Sequence, residues 1–251
     1  MTKLVVANWK SNPDTVAEAK KLAGAIEKES RAVAKNVDVV ICPPFIFLES
    51  ISGIKKSKLG AQDAFWSSGP YTGEISVAQL KKIGVEYIIV GHSERRRNFN
   101  ESDEIVNHKL KTIISAGIKV ILCVGEWPEY RNDIEGAKRF VKDQLDKDLE
   151  AVDLKLVSEN LFIAYEPVWA IGTGLNDSPE HAAEMAKFIR NVVSAYSINP
   201  MELKILYGGS ITSNNANQFL SLPEISGLLV GGASLDAEEF KKIIRLAANT
   251  H

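Results

Sequence analysis

One glutamate in this sequence is placed where its side chain could accept a proton. Glu166 directly follows the apolar run LFIAY, and Pro167, Trp169 and the spaced glycines Gly172 and Gly174 come after it. An apolar setting suits a carboxylate to take up a proton, and a proline restricts the backbone that follows it. Glycines supply uncovered amides and the torsional freedom of a closing loop. The stretch predicts a general base beside a lid, with an ion-paired glutamate at the end of a strand as the alternative.

Two further side chains follow apolar runs and could act on an anionic substrate. Lys10 comes after the run LVVA, behind Asn8 and Trp9, and offers a positive charge. His92 lies one residue beyond the run YIIV, where an imidazole could serve in acid–base or electrophilic catalysis. A solvated lysine and a buried structural histidine are the alternatives.

Glycine-rich segments follow the last two apolar runs. They are Gly208–Ser210 and Gly231–Gly232. Glycine lets backbone N–H groups approach an anion, and a helix beginning near residues 233–237 would add partial positive charge. These segments predict a site for a phosphorylated small molecule, although plain turns would explain either segment alone.

Eight short apolar runs predict the elements that must position these groups. They are residues 4–7, 37–41, 58–61, 87–90, 120–124, 161–165, 204–207 and 227–230. Because the runs are apolar without alternation, they are typical of strands buried on both faces of a parallel sheet.

Segments of helical periodicity separate the runs. We expect a helix over about residues 15–34 capped by Asp14, a second between Ser102 and Gly117, and a third beginning at Ser178. Strand and helix alternate along residues 1–251, which predicts one domain with the α/β fold of a closed (β/α)₈ barrel. A doubly wound open sheet is the alternative. In a barrel, the C-terminal strand ends meet at one face, so the groups named above would converge.

The composition is that of an ordinary folded protein, with 45% hydrophobic and 25% charged residues and a formal net charge of −2. It lacks the basic excess that nucleic acid or an anionic membrane would attract, so neither is an expected partner. The N-terminal apolar run is too short for a signal peptide and no run reaches transmembrane length, which predicts a cytoplasmic protein. Cys42 and Cys123 are expected to be packed, reduced thiols, and the four scattered histidines lack metal-ligand spacing.

Taken together, the strand-end motifs resemble those of the triosephosphate isomerase family along the whole chain. They are NWK at 8–10, GAQ at 60–62, YTGEIS at 71–76, VGHSERR at 90–96, CVGE at 123–126, AYEPVWAIGTG at 164–174, YGGS at 207–210 and LVGGASL at 229–235. The resemblance implies a TIM barrel that interconverts dihydroxyacetone phosphate and glyceraldehyde 3-phosphate without cofactor or metal, a step of glycolysis and gluconeogenesis.

The resemblance also implies roles for single residues. Glu166 would move a proton between two carbon atoms, and His92, as a neutral imidazole, would donate to the carbonyl oxygens. Lys10 and Asn8 would stabilise an enediolate oxygen. Further site residues match the family's supporting and phosphate-binding positions: Ser93, Glu94, Gly172, Ser210, Leu229, Gly231 and Gly232.

Two other expectations follow from the resemblance. The loop 63–76 would insert into a second copy of the chain and bring Thr72 to its site, which implies a homodimer. Ser226 stands where the family usually has an aspartate, so Arg190 is expected to lack that buried partner. A different phosphate-binding barrel enzyme and a catalytically silent binding protein remain the alternatives.

Overall fold

Eight parallel strands form the centre of the fold. The computed structural model describes residues 2–33, 36–153, 160–171, 177–196 and 202–250. The strands are β1 (Lys3–Asn8), β2 (Val37–Cys42), β3 (Lys58–Ala61), β4 (Tyr87–Val90), β5 (Lys119–Val124), β6 (Leu161–Tyr165), β7 (Lys204–Tyr207) and β8 (Gly227–Val230). All eight predicted strands are therefore confirmed, with ends that shift by at most one residue.

The strands close into a barrel in chain order. Each strand pairs in parallel with the next, and β8 pairs with β1 through Leu4 to Ala7. This order confirms the (β/α)₈ barrel and excludes the doubly wound open sheet. Side chains such as Val6, Ile89 and Leu206 pack inside the barrel, while the alternate residues pack outward against the helices. Burial on both sides explains why the sequence showed apolar runs without alternation.

Helices surround the barrel. In the described part of the chain they are α1 (Val16–Ala32), α2 (Leu48–Ile51), α3 (Val77–Ile83), α4 (Ser93–Phe99), α5 (Asp103–Ser115), α6 (Ile134–Asp148), α7 (Pro179–Ser194), α8 (Ala216–Leu220) and α9 (Ala237–Asn249). None of these helices has the length and apolar character needed to cross a membrane.

One predicted helix cap is wrong. Thr15, not Asp14, caps α1, because the Thr15 hydroxyl accepts the Glu18 N–H at 3.2 Å and the Glu18 carboxylate reaches back to Thr15. This reciprocal pair satisfies two backbone donors at once. The caps at Ser102 and Ser178 are confirmed.

Both cysteines lie on the inside of the barrel. Cys42 and Cys123 are buried and free, and burial raises the pKa of each thiol. The neutral thiol is therefore the stable form, as expected for packed cysteines. No group of three or more His, Cys, Asp or Glu residues within the described ranges is arranged to hold a metal ion.

Candidate active site

Glu166 lies at the C-terminal end of β6, with its side chain 2% exposed. Its backbone N–H donates to the Val124 carbonyl at 2.8 Å, so the end of β5 positions it. A Cβ at Gly125 would stand 1.8 Å from the Glu166 carbonyl oxygen, which only glycine avoids. The Glu166 carboxylate accepts the Ser93 N–H at 3.1 Å. The predicted base is thus buried, and its position is defined by two neighbouring strands.

His92 faces Glu166 from the start of α4. The His92 Nδ1 accepts the Glu94 backbone N–H at 3.2 Å, and Nε2 lies 3.2 Å from Oε1 of Glu166. Because Nδ1 is an acceptor, the proton of a neutral ring must be on Nε2. Nε2 can therefore donate to Glu166 or to a substrate oxygen in the same place.

Lys10 and Asn8 come from the end of β1. Lys10 has a φ of 53°, a left-handed conformation in which its N–H donates to Oδ1 of Asn8 at 3.1 Å. The Gln62 amide donates to the Lys10 carbonyl at 2.8 Å and so supports the same backbone. The Lys10 ammonium forms an ion pair with Glu94. The positive charge of Lys10 therefore lies at the C-terminal end of the barrel, beside Glu94.

A cavity of about 490 Å³ connects these groups with the glycine-rich loops. A Cβ at Gly231 would stand 3.2 Å from Cε of Lys10, and one at Gly209 would stand 2.2 Å from the Tyr207 hydroxyl. Gly231 precedes a 3₁₀ helix over Gly232–Leu235, close to the helix start expected near residues 233–237. The cavity is lined by the predicted residues Asn8, Lys10, His92, Glu166, Ser210, Leu229, Gly231 and Gly232.

The remaining predicted site residues either lie around this cavity or fall outside the residues that the structure describes. Ser93 and Glu94 contact Glu166 and Lys10 as stated above. Gly172 and Gly174 both fall in residues 172–176, so they lie outside the described residues.

Thr72 lies away from this cavity, in the exposed part of the loop 63–76. Gly69 and Gly73 on either side of it have φ values of 124° and 94°. Thr72 therefore contributes nothing to the cavity of its own chain.

Glu126 was missed as a site residue, although it follows β5 as Glu166 follows β6. It is fully buried and accepts the Trp169 indole N–H at 2.8 Å and the Tyr165 hydroxyl at 3.0 Å. Burial raises the pKa of Glu126, and these donors oppose that rise only in part. Glu126 thus anchors the chain just before residues 172–176. Its position at a strand end was the available signal.

A carboxylate, an imidazole and a lysine at the C-terminal ends of barrel strands are the arrangement expected of a (β/α)₈-barrel enzyme that transfers protons on an anionic substrate. The family model for triosephosphate isomerase matches residues 3–247. The chain therefore belongs to the triosephosphate isomerase family, which interconverts dihydroxyacetone phosphate and glyceraldehyde 3-phosphate.

Individual relatives match over nearly their full length. The triosephosphate isomerase of Chloroherpeton thalassium is 44% identical, covering 98% of this chain and 98% of that protein. That of Aquifex aeolicus is 42% identical, covering 97% of this chain and 99% of its own. That of Mycoplasmoides gallisepticum is 41% identical, covering 97% and 98%.

Proposed function

We propose that the chain performs the triose phosphate interconversion by moving one proton between adjacent carbon atoms, through an enediolate intermediate, with Glu166 as the base. Glu166 takes the proton from one carbon and returns it to the other, so the carboxylate is regenerated in each cycle. The hydroxyl proton moves from one oxygen to the other in the same cycle, because His92 Nε2 gives its proton to the carbonyl oxygen and takes one back from the neighbouring hydroxyl. The observation that carries the proposal is the 3.2 Å approach of Glu166 and His92 inside the cavity that the glycine loops also line.

His92 acts as the electrophile in this proposal. Its Nδ1 already accepts a backbone N–H, so the neutral ring offers Nε2–H to the substrate's carbonyl oxygen. As carbon loses its proton, negative charge grows on that oxygen. A donor already aimed there stabilises the transition state more than the bound substrate.

Lys10 and Asn8 supply further stabilisation of the enediolate oxygen. The Lys10 backbone is held by Asn8 and Gln62, so little reorganisation is needed when the charge develops. The phosphate group would lie across the cavity, against the backbone N–H groups of Ser210, Gly231 and Gly232. We assign Gly172 to the same group, and Leu229 to the apolar wall.

The segment after Trp169 would close over the bound substrate as a lid. Such a lid is needed because an enediolate phosphate in contact with water can lose its phosphate group. The hydrogen bond from Trp169 to Glu126 supports a fixed hinge at the start of this segment.

Comparison of the wild-type chain with Glu166→Gln tests the proposal. Isomerisation of glyceraldehyde 3-phosphate is coupled to a dehydrogenase that consumes dihydroxyacetone phosphate. The variant should lose about 10²–10⁴-fold in kcat, the usual contribution of a general base, with its Tm retained. Glu180→Gln, at an exposed position of α7, is the matched control and should keep full activity.

Two outcomes would count against the proposal. Full activity in Glu166→Gln would exclude Glu166 as the base. A folded wild-type protein that binds a phosphate-bearing analogue without isomerising triose phosphates would point to another phosphate-binding barrel enzyme.

We further propose a homodimer built through the loop 63–76. A groove of about 290 Å³ adjoins the cavity and shares Asn8, Lys10 and His92 with it. Ile46 and Phe99, beside this region, are 77% and 67% exposed, which is unusual for large apolar side chains. Insertion of Thr72 from a second copy would cover this surface.

Sedimentation of Thr72→Glu tests the dimer. A carboxylate inserted beside the partner's Glu94 should shift the protein to monomer and lower its activity, because like charges would be buried together. Ser221→Glu, at an exposed serine outside the loop, should leave both unchanged. A wild-type protein that sediments as a monomer would exclude the dimer.

A further inference from the structure

The opposite end of the barrel holds a second cavity with surplus positive charge. Its volume is about 340 Å³, and it lies where α7 meets the N-terminal ends of β8 and β1. Three cationic side chains, Lys3, Lys187 and Arg190, line it together with a single carboxylate, Glu224, among the residues described. None of these groups takes part in the proposed reaction.

Lys3 places an ammonium group in this cavity with little access to water. The residue is 9% exposed, and its Nζ donates to the Ile225 carbonyl at 2.6 Å. Within the described part of the chain, no carboxylate is among the groups that shift the pKa of Lys3. Burial lowers the pKa of Lys3, as expected for a cation without a counter-charge.

Arg190 is a second cation without a directly bound anion. Its Nη2 donates to the Leu203 carbonyl at 3.3 Å, and over the described ranges it forms no ion pair. Burial lowers the pKa of Arg190, and the charge of Glu224 only partly opposes this. Glu224 itself pairs with Lys187 at 3.1 Å. The expectation that Ser226 leaves Arg190 without a carboxylate partner agrees with this geometry.

We infer that this cavity is a second anion site, which binds a tetrahedral oxyanion such as inorganic phosphate between Lys3 and Arg190. Guanidinium and ammonium groups together suit phosphate oxygens, because both donate charge-assisted hydrogen bonds. Buried charges are costly unless they are paired, so a bound anion relieves the cost of both cations. Such an anion also links β1 to α7 beside the β8–β1 pairing that closes the barrel. Binding there stabilises the fold.

Equilibrium binding of inorganic phosphate tests the inference, because the two anion sites can be counted. The wild-type chain should bind two phosphates, one at each end of the barrel. Ser226→Asp places a carboxylate on the cavity wall as an internal counter-ion, so the second site should weaken tenfold or more. Ser226→Asn adds similar volume without charge and should keep the second site.

Inhibition of isomerisation by phosphate reports the active site separately and should be equal in all three proteins. If the chain does not isomerise triose phosphates, the binding counts and crystals still test this cavity alone. Crystals soaked with selenate should show an anomalous peak within hydrogen-bonding distance of Lys3 and Arg190. If Ser226→Asp binds phosphate as the wild-type chain does, or if the cavity is empty in those crystals, the inference is overturned. An equal loss of phosphate affinity in the Ser226→Asp and Ser226→Asn variants would also overturn the inference, since it would indicate a steric effect.

Discussion

Replacing Glu27 by glutamine tests whether one carboxylate holds the turn that leads into β3. Glu27 lies on α1 with its side chain 11% exposed. Its carboxylate accepts the backbone N–H groups of Lys55, Lys56 and Ser57 at 3.1, 3.0 and 2.8 Å, and Nε of Arg31 at 2.9 Å. The turn therefore depends on an acceptor supplied by a helix almost 30 residues away in the chain.

The magnitude follows from the pKa of Glu27. Burial by itself would raise this pKa, but the four donors outweigh burial and lower it from 4.5 to about 2. At about 1.4 kcal/mol per unit, the ionised carboxylate contributes at most about 3 kcal/mol to the free energy of unfolding. Glutamine keeps one acceptor oxygen, so we expect Glu27→Gln to lose about 2 kcal/mol at neutral pH.

The pH dependence has a definite sign. Because the pKa of Glu27 is lower in the folded than in the unfolded chain, its contribution is complete above pH 4.5 and is lost as the pH falls toward about 2. Urea unfolding at fixed protein concentration, at about pH 7 and about pH 3, measures the difference between wild type and variant. The difference should shrink to roughly half or less at the lower pH.

Glu49→Gln is the matched control, since Glu49 is an exposed glutamate on α2, and it should change stability by less than about 0.5 kcal/mol. A Glu27→Gln variant as stable as this control would refute the reasoning. So would an unfolding difference that is the same at both pH values, because the effect would then not come from the charge.

Two further variants act nearer the site. Gly125→Ala would force a Cβ to within 1.8 Å of the Glu166 carbonyl oxygen, so Glu166 must move. We expect kcat/KM to fall about a hundredfold. Gly24→Ala is the control and should be tolerated, because nothing lies within 4 Å of a Cβ at that position. Unchanged kinetics in Gly125→Ala would show that the strand ends adjust freely. Trp169→Phe removes the indole donor to Glu126, which should cost about 1–3 kcal/mol of unfolding free energy and lower kcat/KM, while Glu126→Gln keeps an acceptor and should lose less. Equal stability of the wild type and Trp169→Phe would exclude the proposed anchor.

The fold could be predicted from the sequence because a strand that is buried on both faces appears as an apolar run without alternation. Even the weakest run, residues 58–61, forms β3. A Cβ at Gly60 would stand 2.4 Å from Sγ of Cys42, so the glycine that weakened the pattern is required by packing. The wrong cap at Asp14 had a visible alternative, since Thr15 and Glu18 have the spacing of a capping box.

The site could be predicted as a set of residues but not as a geometry. Topology brings the strand ends to one face, which was enough to group Lys10, His92 and Glu166. It does not say which His92 nitrogen carries the proton, because that depends on the Glu94 N–H. Nor does it separate Glu126 from Glu166. Both follow a strand, and only packing shows that Glu126 lies beneath Trp169 while Glu166 faces the cavity.

Glu166 and the substrate compete for the same donor, the Nε2–H of His92. The Ser93 N–H and His92 Nε2 lie 3.1 and 3.2 Å from oxygens of the Glu166 carboxylate. In the proposed reaction the substrate's carbonyl oxygen needs the same Nε2–H, and its arrival must displace one of these bonds. The Glu166 oxygen released in this exchange would then face the substrate carbon that gives up its proton. The energy for this exchange can come from the phosphate group at the glycine loops, a part of the substrate that does not react.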